Sequence, residues 1–128
     1  MNSDDLYRDI SRYLKGEKVD FLKYEPDLSD LTEFEQDVLN EVRKILYGTT
    51  ITYSELADRI GSSGGARAVG QALSKNPYPI VIPCHRVVAK TGIGGYSGGV
   101  ELKKRLLEIE AKGITVHSPA VNFNMLQR

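Results

Sequence analysis

Apolar positions recur at helical spacing along much of the chain. Leu6, Ile10, Tyr13 and Leu14 fall at i, i+4, i+7 and i+8 within a charged segment, which predicts a short amphipathic helix ending near Gly16. From Lys18 to Asp30 the pattern is irregular and interrupted by Pro26, so it reads as a connecting stretch. Thr32 and Glu35 form a capping-box pair, and Phe34, Val38, Val42, Ile45 and Leu46 then line one side of a helix that Gly48 should stop. Thr52 and Glu55 repeat the box, with Leu56 and Ile60 turned to the core and Gly61 suited to a left-handed C′ position.

After Gly61, Ser62, Ser63 and Gly64, a second helix is predicted from Gly65 to Lys75 with a small-residue face of Ala66, Ala68, Gly70 and Ala72. Two short helices joined by a glycine-bearing turn are a helix-turn-helix candidate, whose second member carries Arg67, Gln71, Ser74 and Lys75. The stretch from Asn76 to Gly99 holds three prolines near its start, which argue against helix, and its Ile80, Val81, Ile82, Val87 and Val88 suit buried extended chain. Glycines then dominate a loop. A last helix is predicted over Val100 to Lys112, with Leu102, Leu106 and Ile109 on one stripe and Lys103, Leu107 and Glu110 on the next. The expected fold is mainly α with a short β element, a helix-turn-helix, winged-helix-like domain.

Composition narrows the function classes. A chain of 128 residues favours one core. One cysteine and two histidines leave no disulfide and no tetrahedral zinc set, so no metal or other cofactor is expected. The N-terminus lacks a basic segment followed by an apolar one, and no run approaches the roughly 20 apolar residues of a membrane span, so a cytoplasmic protein with no membrane partner is expected. TGIGGYSGG lacks the Gly-Lys-Ser/Thr ending of a phosphate-cradling loop. Seventeen basic and seventeen acidic side chains cancel, yet residues 1–46 hold 12 acids against 7 bases and residues 47–128 hold 5 against 10. The positive half is the one with the helix-turn-helix pattern, which keeps a nucleic-acid partner open.

By composition alone, a lone cysteine is a small buried apolar residue. Its neighbours point elsewhere. Cys84 follows Pro83 and precedes His85 and Arg86, an electropositive setting that would favour thiolate. His85 is the candidate base. Adjacent residues of an extended chain point apart, however, so His85 reaches Cys84 only through a turn or a bridging water. A papain-like pair would need another histidine, and only His117, in an irregular tail, is left.

Pro83-Cys84-His85-Arg86-Val87 resembles the active-site motif of the O6-alkylguanine-DNA alkyltransferases, the methylated-DNA–protein-cysteine methyltransferases. The resemblance extends to Thr52-Tyr53, Arg67-Ala68-Val69-Gly70, Asn76-Pro77, Tyr96-Ser97-Gly98-Gly99 and the Leu106 to Glu110 pattern, in order and spacing, across about residues 28–112. It implies a single-turnover repair protein that flips O6-alkylguanine from duplex DNA and transfers the alkyl group irreversibly to Cys84. His85 would act through water as the base and Glu110 would orient it, with Glu108 the alternative and a solvated helix position the plainer one. Tyr53 would protonate the leaving guanine. Val87, Tyr96, Ser97 and Pro79 would contact the base, with carbonyls of Cys84 and Val87 reading it and Ser97 offering an amide.

The same resemblance puts Ala66, Arg67, Ala68, Gly70 and Gln71 against the minor groove of double-stranded DNA, Arg67 filling the vacated stack or simply touching phosphate. Asn76 would couple this helix to the cysteine strand as a hinge, or merely form a turn. The departure is at the N-terminus: residues 1–27 read as a helix and linker, a remnant of the family's larger N-terminal domain, before a core of 28–112 and a tail of 113–128. A monomer is expected, with a compensating dimer open. The rival readings are an alkyltransferase-like protein that holds lesions without repairing them, and a helix-turn-helix regulator with an incidental cysteine.

Overall fold

The structure, a computed structural model, describes residues 3–96 and 98–117, with side chains described up to residue 113. Helix α1 spans Ser3–Leu14, and Gly16 turns the chain at φ +99°. Its inner face buries Asp9 and Tyr13, while Leu14, expected on the apolar stripe, is largely exposed. The following stretch is more than a connection. It makes a single 3₁₀ turn at Phe21–Lys23 and buries Val19, Phe21 and Tyr24. These join Tyr13, Val81 and Leu106 in one apolar cluster, so the N-terminal segment is packed onto the body of the protein. Asp9 anchors it, accepting from the Tyr24 hydroxyl at 2.6 Å and pairing with Lys23 at 2.8 Å.

Helix α2 (Glu33–Val42) begins on the predicted capping box, with both reciprocal Thr32 and Glu35 bonds formed. It stops four residues short of the predicted Leu46. Lys44 and Ile45 bond back three residues, to Glu41 and Val42, so the helix tightens into turns that bury Ile45 and leave Leu46 outside. A short strand β1 (Ile51–Thr52) leads into α3 (Tyr53–Arg59), again boxed by Thr52 and Glu55. Gly61 at φ +75° turns the chain toward α4 (Ala66–Leu73), and α3, α4 and α2 pack mutually as the helix-turn-helix core.

Strand β2 (Val87–Val88) runs parallel to β1, pairing Ile51 with Val87 and Thr52 with Val88. This pair is the whole sheet among the described residues. The main core lies beneath it, where Val38, Leu39, Val42, Leu56, Val69 and Ile82 surround Cys84 and Val87. Helix α5 (Val100–His117) runs past the predicted Lys112, through Gly113, where a side chain would stand 2.7 Å from the Tyr47 hydroxyl. Its buried face is not the apolar stripe alone: Lys103, Leu106, Leu107, Glu110 and Ala111 are inside, whereas Leu102 is exposed. No helix among the described residues is long and apolar enough to cross a membrane.

Candidate active site

The prolines around Cys84 produce a turn instead of the expected extended run. Asn76 stands at the end of α4 and accepts the Tyr78 amide at 2.8 Å, an Asx turn that starts the return of the chain. Ile80 is held at φ +75°, a left-handed conformation costly for a β-branched residue, while the Ile82 amide closes back on the Tyr78 carbonyl. Pro83 then opens a single 3₁₀ turn at Cys84–Arg86, closed by Arg86 N–H to the Pro83 carbonyl at 2.9 Å. Residues 84 to 86 therefore fan out from a turn, and the strand begins only at Val87.

Cys84 is 5% exposed. Burial pushes its thiol up from the ordinary range, and the opposing influences are the Asn76 amide, which donates to Sγ at 3.1 Å, and the charge of Lys103. The Asn76 amide also donates to the Ile82 carbonyl at 2.9 Å, so one side chain ties the end of α4 to both the backbone and the sulfur of the cysteine turn.

His85 is fully buried, and that burial pushes its pKa down, so the neutral imidazole is the resting form. Its Nε2 lies 2.6 Å from Glu110 Oε2 and 3.1 Å from the Tyr13 hydroxyl. Among the described residues, its Nδ1 is buried without a hydrogen-bond partner. Burial of Glu110 would raise its pKa, but bonds from His85 and the Arg86 charge outweigh that and hold it near 2. The carboxylate also accepts the Gly48 amide at 2.9 Å and the Tyr13 hydroxyl at 2.5 Å. Glu108, the alternative orienter, is half-buried and off this network.

Arg86 does not supply the positive field expected beside the thiol. Its Nε donates to Glu110 at 2.9 Å and its Nη1 to the Ile45 carbonyl at 2.7 Å, so its charge is spent on the carboxylate. The cation whose charge acts on the thiol is Lys103, fully buried, donating to the Val87 carbonyl at 2.6 Å and the Gly95 carbonyl at 3.0 Å. Burial brings its pKa down to about 8, and the attraction of Cys84 opposes that fall.

A cavity of about 390 Å³ opens over the sulfur, lined by Tyr53, Gly70, Leu73, Ser74, Cys84, Gly95 and Tyr96. Tyr53 enters it from the first turn of α3 and donates to the Gly95 carbonyl at 3.3 Å. Gly94 is at φ +81°, and a β-carbon there would stand 2.7 Å from the Tyr53 hydroxyl, so only glycine lets this loop close over the ring. The Tyr96 hydroxyl is buried beside the thiol, and burial and Cys84 together push its pKa up.

Val87 is fully buried in strand β2 and Pro79 is exposed; neither lines this cavity. Ser97 lies outside the described residues. On α4, Arg67, Ala68 and Gln71 are exposed, while Ala66 and Gly70 are half-buried. Ala72 is in the core, because residues two apart cannot share one face of a helix over its whole length.

Residues 33–112 match the family described as 6-O-methylguanine DNA methyltransferase, DNA binding domain. The chain belongs to that family. It is 47% identical over 113 residues to the methylated-DNA–protein-cysteine methyltransferase of Metallosphaera sedula, covering 88% of this chain and 70% of that relative. The crystal structure of Mycobacterium tuberculosis OGT in complex with DNA is 38% identical with a TM-score of 0.76, over 84% of this chain and 65% of that one. Schizosaccharomyces pombe Atl1, solved with damaged DNA containing O6-carboxymethylguanine, matches 61% of this chain and 75% of its own at 37% identity and a TM-score of 0.54. The match to the methyltransferase of Methanocaldococcus vulcanius spans 53% of that relative's length.

At the site of this methyltransferase fold, Lys103 and Tyr13 are buried polar side chains to which the sequence pattern gives no role. Lys103 carried a signal, since it shares a helical stripe with Leu107 and Glu110. Tyr13 carried only its place among the apolar residues of the first helix.

Proposed function

We propose that the protein repairs alkylated DNA by taking the alkyl group of an O6-alkylguanine onto Cys84, once per molecule. The observation that carries this reading is Cys84 at the floor of a cavity walled by Tyr53 and Tyr96, in a turn whose next residue is a neutral, fully buried histidine with a bare Nδ1. Membership of the methyltransferase family supports the reaction class, and the presence of the cysteine favours transfer over lesion holding.

In this reading, the Cys84 proton passes through an intervening water to His85 Nδ1, and the thiolate sulfur attacks the alkyl carbon. The S–C bond forms as the C–O bond to guanine breaks. Tyr53 gives its hydroxyl proton to the departing base, so that a neutral guanine leaves, and the imidazolium proton returns to the Tyr53 phenolate through solvent. Glu110 keeps Nε2 protonated and stabilises the imidazolium while it lasts. Because burial holds the thiol protonated at rest, thiolate forms within the closed site, away from adventitious oxidants and electrophiles.

The target base would enter from the α4 side, since Gly70, Leu73 and Ser74 of that helix and its end form one rim of the cavity. Ala68, Gln71 and Arg67 offer a low, exposed face to the minor groove, and Arg67 would fill the stack that the flipped nucleotide leaves. Tyr96 would stack on the base, and Asn76 would link docking of α4 to the position of the sulfur. A monomer suffices for this chemistry.

Incubation with duplex DNA carrying O6-methylguanine should add one methyl mass to the protein at Cys84, with stoichiometric consumption. Cys84→Ala should abolish the transfer and keep lesion binding. An unmodified Cys84 in a protein that retains lesion binding would instead favour the lesion-holding role of the kind that Atl1 exemplifies.

A further inference from the structure

The family motif accounts for Cys84, His85 and Glu110, but the structure adds a further polar partner to His85 and Glu110 from a helix outside residues 33–112. Tyr13 of α1 is 1% exposed, packed edge-on against Phe21, Tyr47 and His85. Its hydroxyl touches both Glu110 and His85.

The proton inventory of this contact is restrictive. A phenol has one proton, and here it lies on the 2.5 Å bond to Glu110 Oε2, which carries charge and accepts only. What the Tyr13 oxygen turns toward His85 Nε2 at 3.1 Å is therefore a lone pair. Nε2 faces two acceptors, Glu110 Oε2 at 2.6 Å and this oxygen. It must carry the ring proton, which leaves Nδ1 as the basic nitrogen.

We propose that Tyr13 is a positioning residue for His85: its hydroxyl fixes the imidazole in the Nε2–H tautomer and tempers the carboxylate of Glu110, so that Nδ1 stays bare and ready to accept a proton. The role rests on the reading of His85 as the base for Cys84. It also gives the N-terminal helix a part in the active site.

Each donor to a carboxylate lowers its pull on a neighbouring imidazole. The groups facing His85 are Tyr13 from α1, Glu110 and Lys103 from α5, and Arg86 from its own turn. Of these, Arg86 and Lys103 oppose an imidazolium and Glu110 favours it. Removing the Tyr13 donor leaves Glu110 more basic without touching either cation, so His85 should hold a proton to higher pH.

The test is Tyr13→Phe, which keeps the ring and its edge contacts. The expected result is that His85, followed by its imidazole nitrogen resonances, titrates about one pH unit higher, a roughly tenfold rise in imidazolium at a given pH. The acid limb of the transfer rate against pH should move with it. Site-specific 3-fluorotyrosine at position 13, a stronger donor in the same packing, should move both in the opposite direction and keeps the test open if Tyr13→Phe folds poorly. A role in packing alone would lower stability and leave the titration of His85 and the acid limb where they were, and that result overturns the proposal. The nuclear resonance readout needs no transfer, so a failure of the transferase reading is distinguishable from a failure of this one.

Discussion

Arg86 grips Glu110 from two nitrogens, with Nε 2.9 Å from Oε1 and Nη2 3.1 Å from Oε2, and this pair fastens the cysteine turn to the last helix. Both side chains are buried, at 7% and 1% exposure. The pair makes the carboxylate neutral in effect without requiring a charged histidine. Together with burial, that lets His85 rest as a free base beside a carboxylate.

Arg86→Met should therefore do two things. It leaves a buried carboxylate without its counter-charge, at a cost of about 3–5 kcal/mol in unfolding free energy. It also transfers the role of counter-ion to His85, which should become protonated at neutral pH and lose its capacity as a base. Chemical denaturation measures the first and His85 resonances the second. A variant that loses stability yet keeps a neutral His85 would show that Glu110 is satisfied by its amide and hydroxyl donors alone.

Acid should destabilise the protein in two stages. His85 has a folded pKa below the ordinary 6.5, so the unfolded chain binds the proton more readily and stability falls as pH drops below about 6.5. Glu110 and Asp9 are both held near 2 in the fold, against ordinary values of 4.5 and 3.8. Their stabilisation is present above those ordinary values and is lost as pH falls from there toward 2. Urea denaturation midpoints between pH 8 and 3 should show a shallow limb and then a steep one. His85→Gln should flatten the first and weaken the Glu110 part of the second, leaving the part that Asp9 contributes.

Gly94→Ala should uncouple the loop from Tyr53. The added carbon meets the Tyr53 hydroxyl at 2.7 Å and the Ala89 amide nitrogen at 3.1 Å, on a residue at φ +81°. Strain alone should cost more than about 1 kcal/mol. The relief available to the site is to displace the tyrosine, so alkyl transfer should fall by a larger factor than affinity for DNA. Single-turnover rates and equilibrium binding on the same lesion duplex compare the two.

The helices that begin at Thr32 and Thr52 were legible because a capping box is a local device: hydroxyl and carboxylate lie three residues apart in the sequence and bond within that span. The cysteine motif was legible for the same reason. What escaped were relations between distant residues. The burial of Lys103 on α5 escaped because it is inside only by virtue of the Val87 and Gly95 carbonyls, which no helical periodicity encodes, whereas the Glu110–His85 pair came from the family resemblance. The turn at Cys84–Arg86 was one of two open alternatives, because proline excludes α-helix without specifying what replaces it. Tyr13 reads as one more apolar position until its hydroxyl is seen across 97 residues of chain from Glu110.

Arg67 offers the sharpest separation of DNA docking from chemistry. It is exposed on α4 and remote from the hydrogen bonds that hold the cysteine turn, so Arg67→Ala should leave stability within about 0.5 kcal/mol of the parent. If it filled the stack behind a flipped base, its loss would slow transfer from a lesion in duplex DNA and leave transfer from free O6-alkylguanine base unchanged, because the free base needs no extrusion. If it only touched phosphate, binding would weaken evenly on damaged and undamaged duplexes and the salt dependence would drop by about one contact. Transfer rates at saturating DNA distinguish the cases: a rate still depressed once every protein molecule is bound assigns Arg67 to extrusion, and a rate restored by saturation assigns it to the phosphate backbone.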